Sequence, residues 1–139
     1  MDSRTAADSR MMHLMECARL AAQRSYAPYS NFRVGAALEL TNGEIVTGTN
    51  VENVSLGLTI CAERAALVQA VSRFGPEIRI AAVAVANLNN AASPPCGACR
   101  QMLAEFILPE ARLMFPGTNE MRTLSFSELL PLAFEMKLQ

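Results

Sequence analysis

The sequence predicts an α/β protein, a three-layer α/β/α sandwich built on a mixed five-stranded sheet. Three observations support this prediction. An amphipathic helical pattern occupies the first part of the chain, a β-hairpin follows it, and helical and strand-like segments then alternate to the end. The predicted order is α-β-β-α-β-α-β-β, with helices covering the sheet. Because the sequence has no repeat, linker or low-complexity segment, we expect a single domain over residues 1–139.

The first helix and the hairpin are predicted from their periodicities. The segment Asp8–Ser25 places apolar side chains at the i, i+3, i+4, i+7 and i+11 spacing of one helix face. Phe32–Leu40 and Glu44–Asn50 are predicted as two strands, because Asn42-Gly43 between them is a strong hairpin turn signal. The apolar helix face consists of Met11, Leu14, Met15, Ala18 and Ala22.

The remaining elements are predicted from composition and stop signals. Val51–Thr59 is expected to cross the top of the sheet. An alanine-rich helix over Cys61–Phe74 is closed by Gly75-Pro76. The continuous apolar run Arg79–Asn87 is typical of a strand buried on both faces. The later predicted elements are a helix from Gly97 to about Ile107 that stops near Pro109, short strands over Ala111–Phe115 and Met121–Leu124, and a short helix from Ser127 to about Pro131.

The charge balance bears on what the protein binds. Lys and Arg number 12 against 13 Asp and Glu, which gives a formal net charge of −1 and a pI of about 5.8. No basic excess is available for a phosphate backbone, which argues against nucleic acid as a partner. The segment Met1–Arg4 leads into no apolar signal core, and the longest smooth apolar run, Ile80–Ala86, is too short to span a bilayer. We therefore expect a cytoplasmic protein without a membrane partner.

Three of the four cysteines lie where a loop becomes a predicted helix. Cys61 precedes one helix, and Cys96 and Cys99 form a C-x-x-C pair at the start of another. The partial positive charge of a helix N-terminus favours thiolate over thiol. Three thiolates can meet at one Zn²⁺ and leave a fourth position for water, which is the pattern of a catalytic zinc site. The only histidine, His13, and the fourth cysteine, Cys17, are distant in sequence, so we expect neither to close this site.

Glu63 follows Cys61 by two residues, in the first turn of the same predicted helix. Alone, a carboxylate at this position would be interpreted as a favourable helix N-terminal charge, contributing about 0.3–1 kcal/mol. Beside a metal with a vacant position, the same carboxylate lies next to an activated water and can carry its proton. We therefore predict that Glu63 is the catalytic proton shuttle.

The segments that carry these residues match a known signature. C-x-E in Cys61-Ala62-Glu63-Arg64 and P-C-x-x-C in Pro95-Cys96-Gly97-Ala98-Cys99-Arg100-Gln101 match the H-x-E…P-C-x-x-C pattern of zinc deaminases, with cysteine replacing histidine. From about Arg24 to Phe134, the chain resembles the small, homotetrameric cytidine deaminases. The further matching motifs are Tyr29-Ser30-Asn31-Phe32, Val34-Gly35-Ala36-Ala37, Asn50-Val51-Glu52-Asn53 and Glu128-Leu129-Leu130-Pro131.

The resemblance implies an activity, a cofactor and an assembly. The activity is hydrolytic deamination of cytidine and 2′-deoxycytidine to uridine and 2′-deoxyuridine with release of ammonia, a step of pyrimidine salvage. The implied cofactor is one Zn²⁺ per subunit. The implied assembly is a homotetramer with its sites near subunit interfaces. The charged fraction of 18%, against about 25% in a typical globular protein, favours self-association as well.

The resemblance also implies how the substrate is bound. Asn50 and Glu52 hydrogen-bond the ribose, chiefly its 3′-hydroxyl, and their spacing of two puts both on one face of an extended segment. Phe32 corresponds to an aromatic wall beside the nucleoside, and the backbone around Ala62 holds the polar edge of the ring. Phe134 corresponds to a ring that stacks on the base in a neighbouring subunit's site. The alternative for both aromatic residues is an ordinary core position.

Two arginines bear on the charge of the metal site. Three thiolates around Zn²⁺ sum to a net charge of −1, which opposes ionisation of a bound water. Arg64 and Arg100 adjoin the ligand-bearing segments and are the candidates to offset that charge. We expect Arg64 to hydrogen-bond ligand sulfurs and withdraw electron density from them. The alternative is that both arginines are surface charges.

The chain departs from the family pattern at two places. Leu56 stands where the family commonly has an aromatic residue, and Pro94-Pro95 replaces the more usual Ser-Pro, which puts substrate preference rather than reaction type in question. The nearest rival interpretation is an aminonucleoside-antibiotic deaminase of the blasticidin type, which the Asn50 and Glu52 pair and Arg64 disfavour. The other rival is a non-catalytic protein in which zinc only joins two helices.

Overall fold

One five-stranded sheet with helices on both faces forms the centre of the protein. The structure is a computed structural model and describes residues 3–136 and 138. Met1 and Asp2, which belong to the opening segment without a predicted signal core, lie outside the described residues, as do Lys137 and Gln139. The elements are α1 (Ser3–Ala22), β1 (Val34–Leu40), β2 (Ile45–Thr49), a 3₁₀ turn (Leu56–Leu58), α2 (Ala62–Phe74), β3 (Ile80–Asn87), α3 (Gly97–Ala104), β4 (Ile107–Pro116), β5 (Met121–Ser125) and α4 (Phe126–Leu129).

The strand order in the sheet is β2-β1-β3-β4-β5. All neighbouring strands are antiparallel except β3 and β4, which are parallel and are connected through α3. The predicted hairpin joins β1 to β2, and Gly43 in its turn adopts a φ of 89°, which side chains other than glycine rarely tolerate. The mixed five-stranded sheet and the α/β class are therefore confirmed.

The two faces of the sheet carry different side chains, because successive residues of a strand point to opposite faces. The face towards α1 is lined mainly by alanines of β1 and β3, and the predicted apolar stripe of α1 packs on it. The opposite face carries larger residues, which pack against α2, α3 and α4. The alanine face consists of Ala37, Ala82, Ala84 and Ala86, whereas Leu38, Val83, Val85 and Leu113 lie on the opposite face.

Two glycines allow helices to lie very close to the sheet. A Cβ atom on Gly35 in β1 would lie 2.0 Å from the carbonyl oxygen of Ala18 in α1. A Cβ atom on Gly48 in β2 would lie 2.3 Å from the backbone nitrogen of Ala66 in α2. Both distances are far below van der Waals contact, so only glycine fits at these positions. The first turn of α2 is thereby held directly over β2.

The predicted helix ends and strand starts are wrong near residues 104–111. The helix α3 ends at Ala104 instead of Ile107, and β4 begins at Ile107 instead of Ala111, with Pro109 inside it. The pairing with β3 jumps from Ile80↔Ile107 to Ala82↔Arg112, so β4 carries extra residues at this point. An irregularity of this kind accommodates a proline, which has no N–H for the ladder.

The two terminal helices also differ from their predicted ends. The helix α1 runs from Ser3 to Ala22 instead of Asp8 to Ser25. The last helix, α4, starts at Phe126 instead of Ser127, because Ser125 forms a capping box with Glu128. None of the helices within the described residues is long and apolar enough to cross a membrane.

Candidate active site

The site lies where α2 and α3 begin. Cys61 and Cys96 are the residues that immediately precede these helices, and both have extended backbone conformations. Cys99 lies in the first turn of α3 and is fully buried. The prediction that both cysteine segments open helices is therefore correct. The two helices pack against each other, which brings their N-terminal amides and partial positive charges to one region.

The three predicted ligand sulfurs form one cluster. The Sγ atoms of Cys61 and Cys96 are 3.8 Å apart, those of Cys96 and Cys99 are 3.5 Å apart, and all three lie within 4.8 Å of one another. Tetrahedral zinc with Zn–S bonds of about 2.3 Å requires sulfurs about 3.8 Å apart. The separations of this cluster and its all-thiolate chemistry therefore fit Zn²⁺.

The cluster distributes charge unevenly among its sulfurs. A hydrogen bond with Cys99, together with Arg64, lowers the pKa of Cys61 to about 5 despite partial burial. The hydrogen bond with Cys61, together with burial, raises the pKa of Cys99. In the absence of a metal, the Cys61 thiol is therefore ionised more readily than the Cys99 thiol.

The remaining histidine and cysteine are remote from this cluster, as predicted. His13 Nε2 lies 3.8 Å from Cys17 Sγ, one turn away on α1. This helix packs on the alanine face of the sheet, whereas α2 and α3 pack on the opposite face. Among the described residues, the cluster of possible ligand atoms contains only Cys61, Cys96 and Cys99.

Glu63 is a buried carboxylic acid beside the cluster. Its relative exposure is 5%, and it occupies the first turn of α2, two residues after Cys61. Burial is the main cause that raises the pKa of Glu63 to about 7, and the charge of Cys61 acts in the same direction. A carboxyl group with a pKa near neutrality can both accept and donate a proton at physiological pH.

A cavity of about 320 Å³ connects Glu63 to the other candidate residues. It is formed by the loops that precede α2 and α3 and by the ends of β1 and β3. The described residues that line it include no Lys, Arg or His, so its wall carries no cationic side chain. The lining residues are Phe32, Val34, Asn50, Thr59, Cys61, Ala62, Glu63, Val85, Ala92, Ser93, Pro94 and Cys96.

The predicted sugar-binding pair is divided between the cavity and the adjacent loop. Asn50 is 8% exposed and lines the cavity, where its Oδ1 accepts a hydrogen bond from Val34 N at 2.9 Å and its Nδ2 donates to Phe32 O at 2.8 Å. Glu52 does not line the cavity. Its Oε1 accepts hydrogen bonds from the backbone amides of Tyr29 at 3.0 Å and Ser30 at 3.2 Å, and its Oε2 accepts one from the Ser30 hydroxyl.

Phe32 lines the cavity, and its backbone is held from several directions. Asn89 accepts a hydrogen bond from Arg33 N at 2.9 Å and donates one to Asn31 O at 2.8 Å, so one side chain holds the residues on either side of Phe32. The third bond is the one from Asn50 Nδ2 to Phe32 O. Ala62, the first residue of α2, also lines the cavity and is fully buried.

Phe134 lies outside this cavity. Its side chain is 71% exposed and borders a separate groove beside α4, and its carbonyl accepts a 3.3 Å hydrogen bond from Gln101 Nε2. Within one chain, the structure therefore does not bring Phe134 to the other predicted site residues.

The two predicted charge-offsetting arginines differ in what they contact. Arg64 Nη2 donates to Cys61 Sγ at 3.6 Å and to Thr59 O at 3.4 Å. Arg100 contacts carbonyl oxygens instead, since its Nε donates to Pro95 O at 2.8 Å and its Nη1 to Leu129 O at 2.9 Å. Arg64 is thus next to a sulfur, whereas Arg100 ties the loop before Cys96 to α4.

Sequence reasoning missed the residues that shape the loop before Cys96. Asn87, the last residue of β3, donates to Ala91 O at 2.8 Å and to Ser93 Oγ at 2.9 Å, and its Oδ1 accepts from the amides of Asn89 and Ala91. These bonds hold the wall of the cavity. Several asparagines directly after a strand were the available signal, because Asn side chains readily bond nearby backbone in turns.

Comparisons with known proteins agree with this geometry. Residues 8–114 match the family described as "Cytidine and deoxycytidylate deaminase zinc-binding region". The chain is 42% identical over 115 residues to a cytidine deaminase of Halalkalibacterium halodurans, covering 82% of this chain and 86% of that protein. It is 43% identical over 114 residues to a cytidine deaminase of Mycobacterium tuberculosis, covering 82% and 81%.

A solved structure is similar as well. The crystal structure of cytidine deaminase from Burkholderia pseudomallei superposes with a TM-score of 0.80 at 42% identity, over 88% of this chain and 98% of that one. The family match covers more than half of the chain, and the sulfur cluster lies within it. The chain therefore belongs to the family of zinc-dependent cytidine and deoxycytidylate deaminases, which are hydrolases.

Proposed function

We propose that the protein hydrolytically deaminates cytidine and 2′-deoxycytidine, producing uridine and 2′-deoxyuridine and releasing ammonia. One observation carries the proposal: a buried carboxylic acid, Glu63, lines the same cavity as two cysteines of the three-sulfur cluster. The relatives named cytidine deaminase support a cytosine nucleoside as substrate. The reaction that we propose is a step of pyrimidine salvage.

Cys61, Cys96 and Cys99 would hold one Zn²⁺ per subunit. When bound, zinc lowers the pKa of a coordinated water and so supplies a nucleophile at neutral pH. Arg64, which donates to Cys61 Sγ, withdraws electron density from that sulfur and partly offsets the negative charge of three thiolates. Arg100 acts on the same site indirectly, because it fixes the Pro95 carbonyl next to Cys96.

Glu63 transfers the protons of the reaction. It accepts a proton as water adds to C4 of the cytosine ring and delivers this proton to the ring N3. The second water proton then passes through Glu63 to the amino group, whose bond to C4 breaks as ammonia leaves. Its burial, which raises its pKa to about 7, suits a group that must alternate between base and acid.

The substrate is bound by residues of the cavity and, in the case of Glu52, of the loop beside it. Asn50 and Glu52 bind the ribose, Phe32 forms an aromatic wall, and the backbone at Ala62 holds the polar edge of the base. The absence of Lys, Arg and His from the described cavity wall favours a neutral nucleoside over a nucleoside monophosphate, whose phosphate would be buried without a cation. The same surroundings offer the blasticidin-type alternative no additional support.

We also propose that the protein acts as a homotetramer in the cytoplasm, with Phe134 stacking on the base in a neighbouring subunit. Two features support the assembly. Phe134 is exposed and does not line its own chain's cavity, and the loop before Cys61 exposes a row of apolar side chains that a single chain does not cover. This row consists of Val54, Leu56, Leu58 and Ile60.

The deaminase proposal is tested by following the loss of cytidine absorbance with purified protein. The matched variant is Glu63→Gln, which preserves shape but cannot carry a proton, and we expect a fall of at least about 10²–10⁴-fold in kcat. Zinc content, measured in parallel, should be unchanged. Wild-type protein that contains zinc yet deaminates neither cytidine nor 2′-deoxycytidine would instead support the non-catalytic zinc protein.

A further inference from the structure

The donors and acceptors of the Asn50 side chain can be counted within the part of the chain that the structure describes. A side-chain amide accepts through two lone pairs on Oδ1 and donates through two N–H bonds on Nδ2. Oδ1 accepts from Val34 N and from the hydroxyl of Ser25, and Nδ2 donates once, to Phe32 O. Among the described residues, no second acceptor meets Nδ2, so one N–H of Asn50 is left for a ligand in the cavity that Asn50 lines.

Ser25 connects Asn50 to the end of α1. It lies three residues after Ala22, and its amide donates to Ala22 O at 3.2 Å. Its hydroxyl donates to Asn50 Oδ1 and also lies 3.4 Å from Asn50 O, which accepts a 3.1 Å hydrogen bond from Tyr26 N. The segment after α1 thus holds both the backbone and the side chain of Asn50.

We propose that Ser25 is a positioning residue that orients the remaining N–H of Asn50 towards the 3′-hydroxyl of the nucleoside sugar. This inference rests on the proposed function. Val34 N and Phe32 O are both backbone groups, and together they hold one edge of the Asn50 amide. The Ser25 hydroxyl adds a second hydrogen bond on Oδ1, which further restrains rotation of the amide plane. It also polarises the amide, which strengthens its N–H as a donor.

This arrangement predicts that the Ser25 hydroxyl affects the binding of one substrate group, the 3′-hydroxyl of the sugar. Ser25 does not itself line the cavity, and among the described residues its hydroxyl bonds only Asn50, so the hydroxyl acts on the substrate through Asn50. Removing the Ser25 hydroxyl should weaken the contact with the sugar 3′-hydroxyl but leave the reaction at the base unchanged. The effect should therefore appear in KM and disappear when the substrate lacks that hydroxyl.

The experiment compares Ser25→Ala with wild type on cytidine and on 3′-deoxycytidine, which differ only in the 3′-hydroxyl. We expect KM for cytidine to rise about threefold to tenfold with nearly constant kcat, and the kinetics with 3′-deoxycytidine to be the same in both proteins. Ser25→Thr, which keeps a hydroxyl, should restore the KM for cytidine.

Equal losses on both substrates would overturn the proposal, because they would assign Ser25 a general structural role. An unchanged KM for cytidine would overturn it as well. Should Ser25→Ala fail to fold, Ser25→Cys replaces it, since sulfur keeps the volume with a much weaker donor. Failure of the proposed function is separate from these outcomes, because wild-type protein would then deaminate neither nucleoside.

Discussion

Arg64 lies between the sulfur cluster and the loop in front of α2. Its guanidinium contacts Cys61 Sγ and Thr59 O, and the negative sulfur raises the pKa of Arg64 further, so that it is charged throughout the working pH range. Among the described residues, its buried Nε has no hydrogen-bond partner. An arginine held in this way is oriented by the sulfur rather than by solvent.

We predict that Arg64→Gln lowers either kcat for cytidine or zinc affinity by about 10–100-fold, because residues that contact metal ligands usually have effects of this size. Turnover and the loss of zinc to a chelator are the measurements. Arg73→Gln is the matched control, since Arg73 is in the last turn of the same helix, against Phe74. Unchanged turnover and unchanged zinc retention in Arg64→Gln would remove this role.

The hydrogen bonds of Glu52 lead to a prediction about how KM for cytidine depends on pH. The Ser30 hydroxyl is the main cause that lowers the pKa of Glu52 below its usual value of 4.5, and the backbone amides of Ser30 and Tyr29 act in the same direction. A lowered pKa keeps the carboxylate charged as pH falls through the ordinary range of glutamate, and the charge is lost only below it.

We therefore predict that KM for cytidine in the wild type begins to rise, through protonation of Glu52, only below the ordinary titration range of glutamate. In Ser30→Ala the pKa of Glu52 rises, so the increase in KM on acidification begins at a higher pH. The measurement is KM against pH for both proteins, with the exposed Ser72→Ala as control. Superimposable profiles would contradict a ribose-binding role for the Glu52 carboxylate.

At the scale of the elements, the position of α2 depends on β2. The first turn of α2 contains Glu63 and packs so closely that a Cβ on Gly48 would lie 2.3 Å from Ala66 N and 2.6 Å from Ala62 O. Both atoms belong to the backbone, so no side-chain rotation can relieve the overlap. Relief of the overlap must therefore displace the backbone of β2 or of α2, the helix that carries the candidate acid.

We predict that Gly48→Ala destabilises the fold by about 1–3 kcal/mol through overpacking and also lowers deaminase activity. Thermal unfolding and turnover are the measurements. Gly57→Ala is the matched control, because its added Cβ would meet nothing within 4 Å. A Gly48→Ala protein with wild-type melting temperature would show that the helix can move away at no cost.

Much of the fold was predictable because it depends on local pattern. The apolar stripe of α1 is buried at all five predicted positions, and the hairpin turn at Gly43 fixes the register of β1 and β2. The start of β4 was not predictable, since Pro109 suggests a break and only the pairing of Ile107 with Ile80 keeps this segment in the sheet. Tertiary pairing overrides local preference there.

The candidate site likewise has features that could be predicted from local sequence and features that could not. The meeting of the three cysteine sulfurs next to Glu63 could be predicted, because their spacing on two helix starts brings these side chains to one region. The long-range hydrogen bonds that hold the cavity wall could not be predicted. Asn89 bonds residues 56 and 58 positions earlier in the chain, and Ser25 bonds Asn50 across 25 positions. Contacts of such long range follow from the fold and have no signature in the sequence.

For the whole molecule, the distribution of apolar surface is informative. Leu56 and Leu58 in the 3₁₀ turn are 71% and 65% exposed, and the last described residues expose Leu132, Phe134, Met136 and Leu138. Apolar side chains gathered in this way are typical of surfaces that contact another protein. Leu56 adds no hydroxyl to such a contact, so its contribution there is purely apolar.

We predict that light scattering detects a particle of four chains, each of 15.1 kDa. Leu58→Glu should shift the particle to smaller mass, because a charge would be buried at the proposed contact. Phe134→Ala should instead leave the mass unchanged and raise KM for cytidine. If the wild-type protein were a monomer and still deaminated cytidine, both the proposed tetramer and the site shared between subunits would be contradicted.

The three hydrogen bonds around Phe32 have a consequence for ligand capture. Because Asn89 and Asn50 fix this stretch of backbone in the folded protein, its conformational entropy is lost when the chain folds rather than when a ligand arrives. A preorganised wall of this kind lets contact energy appear directly as affinity. A bulkier ligand would therefore have to be admitted by rotation of the Phe32 side chain, because the backbone that carries this ring is already held in place.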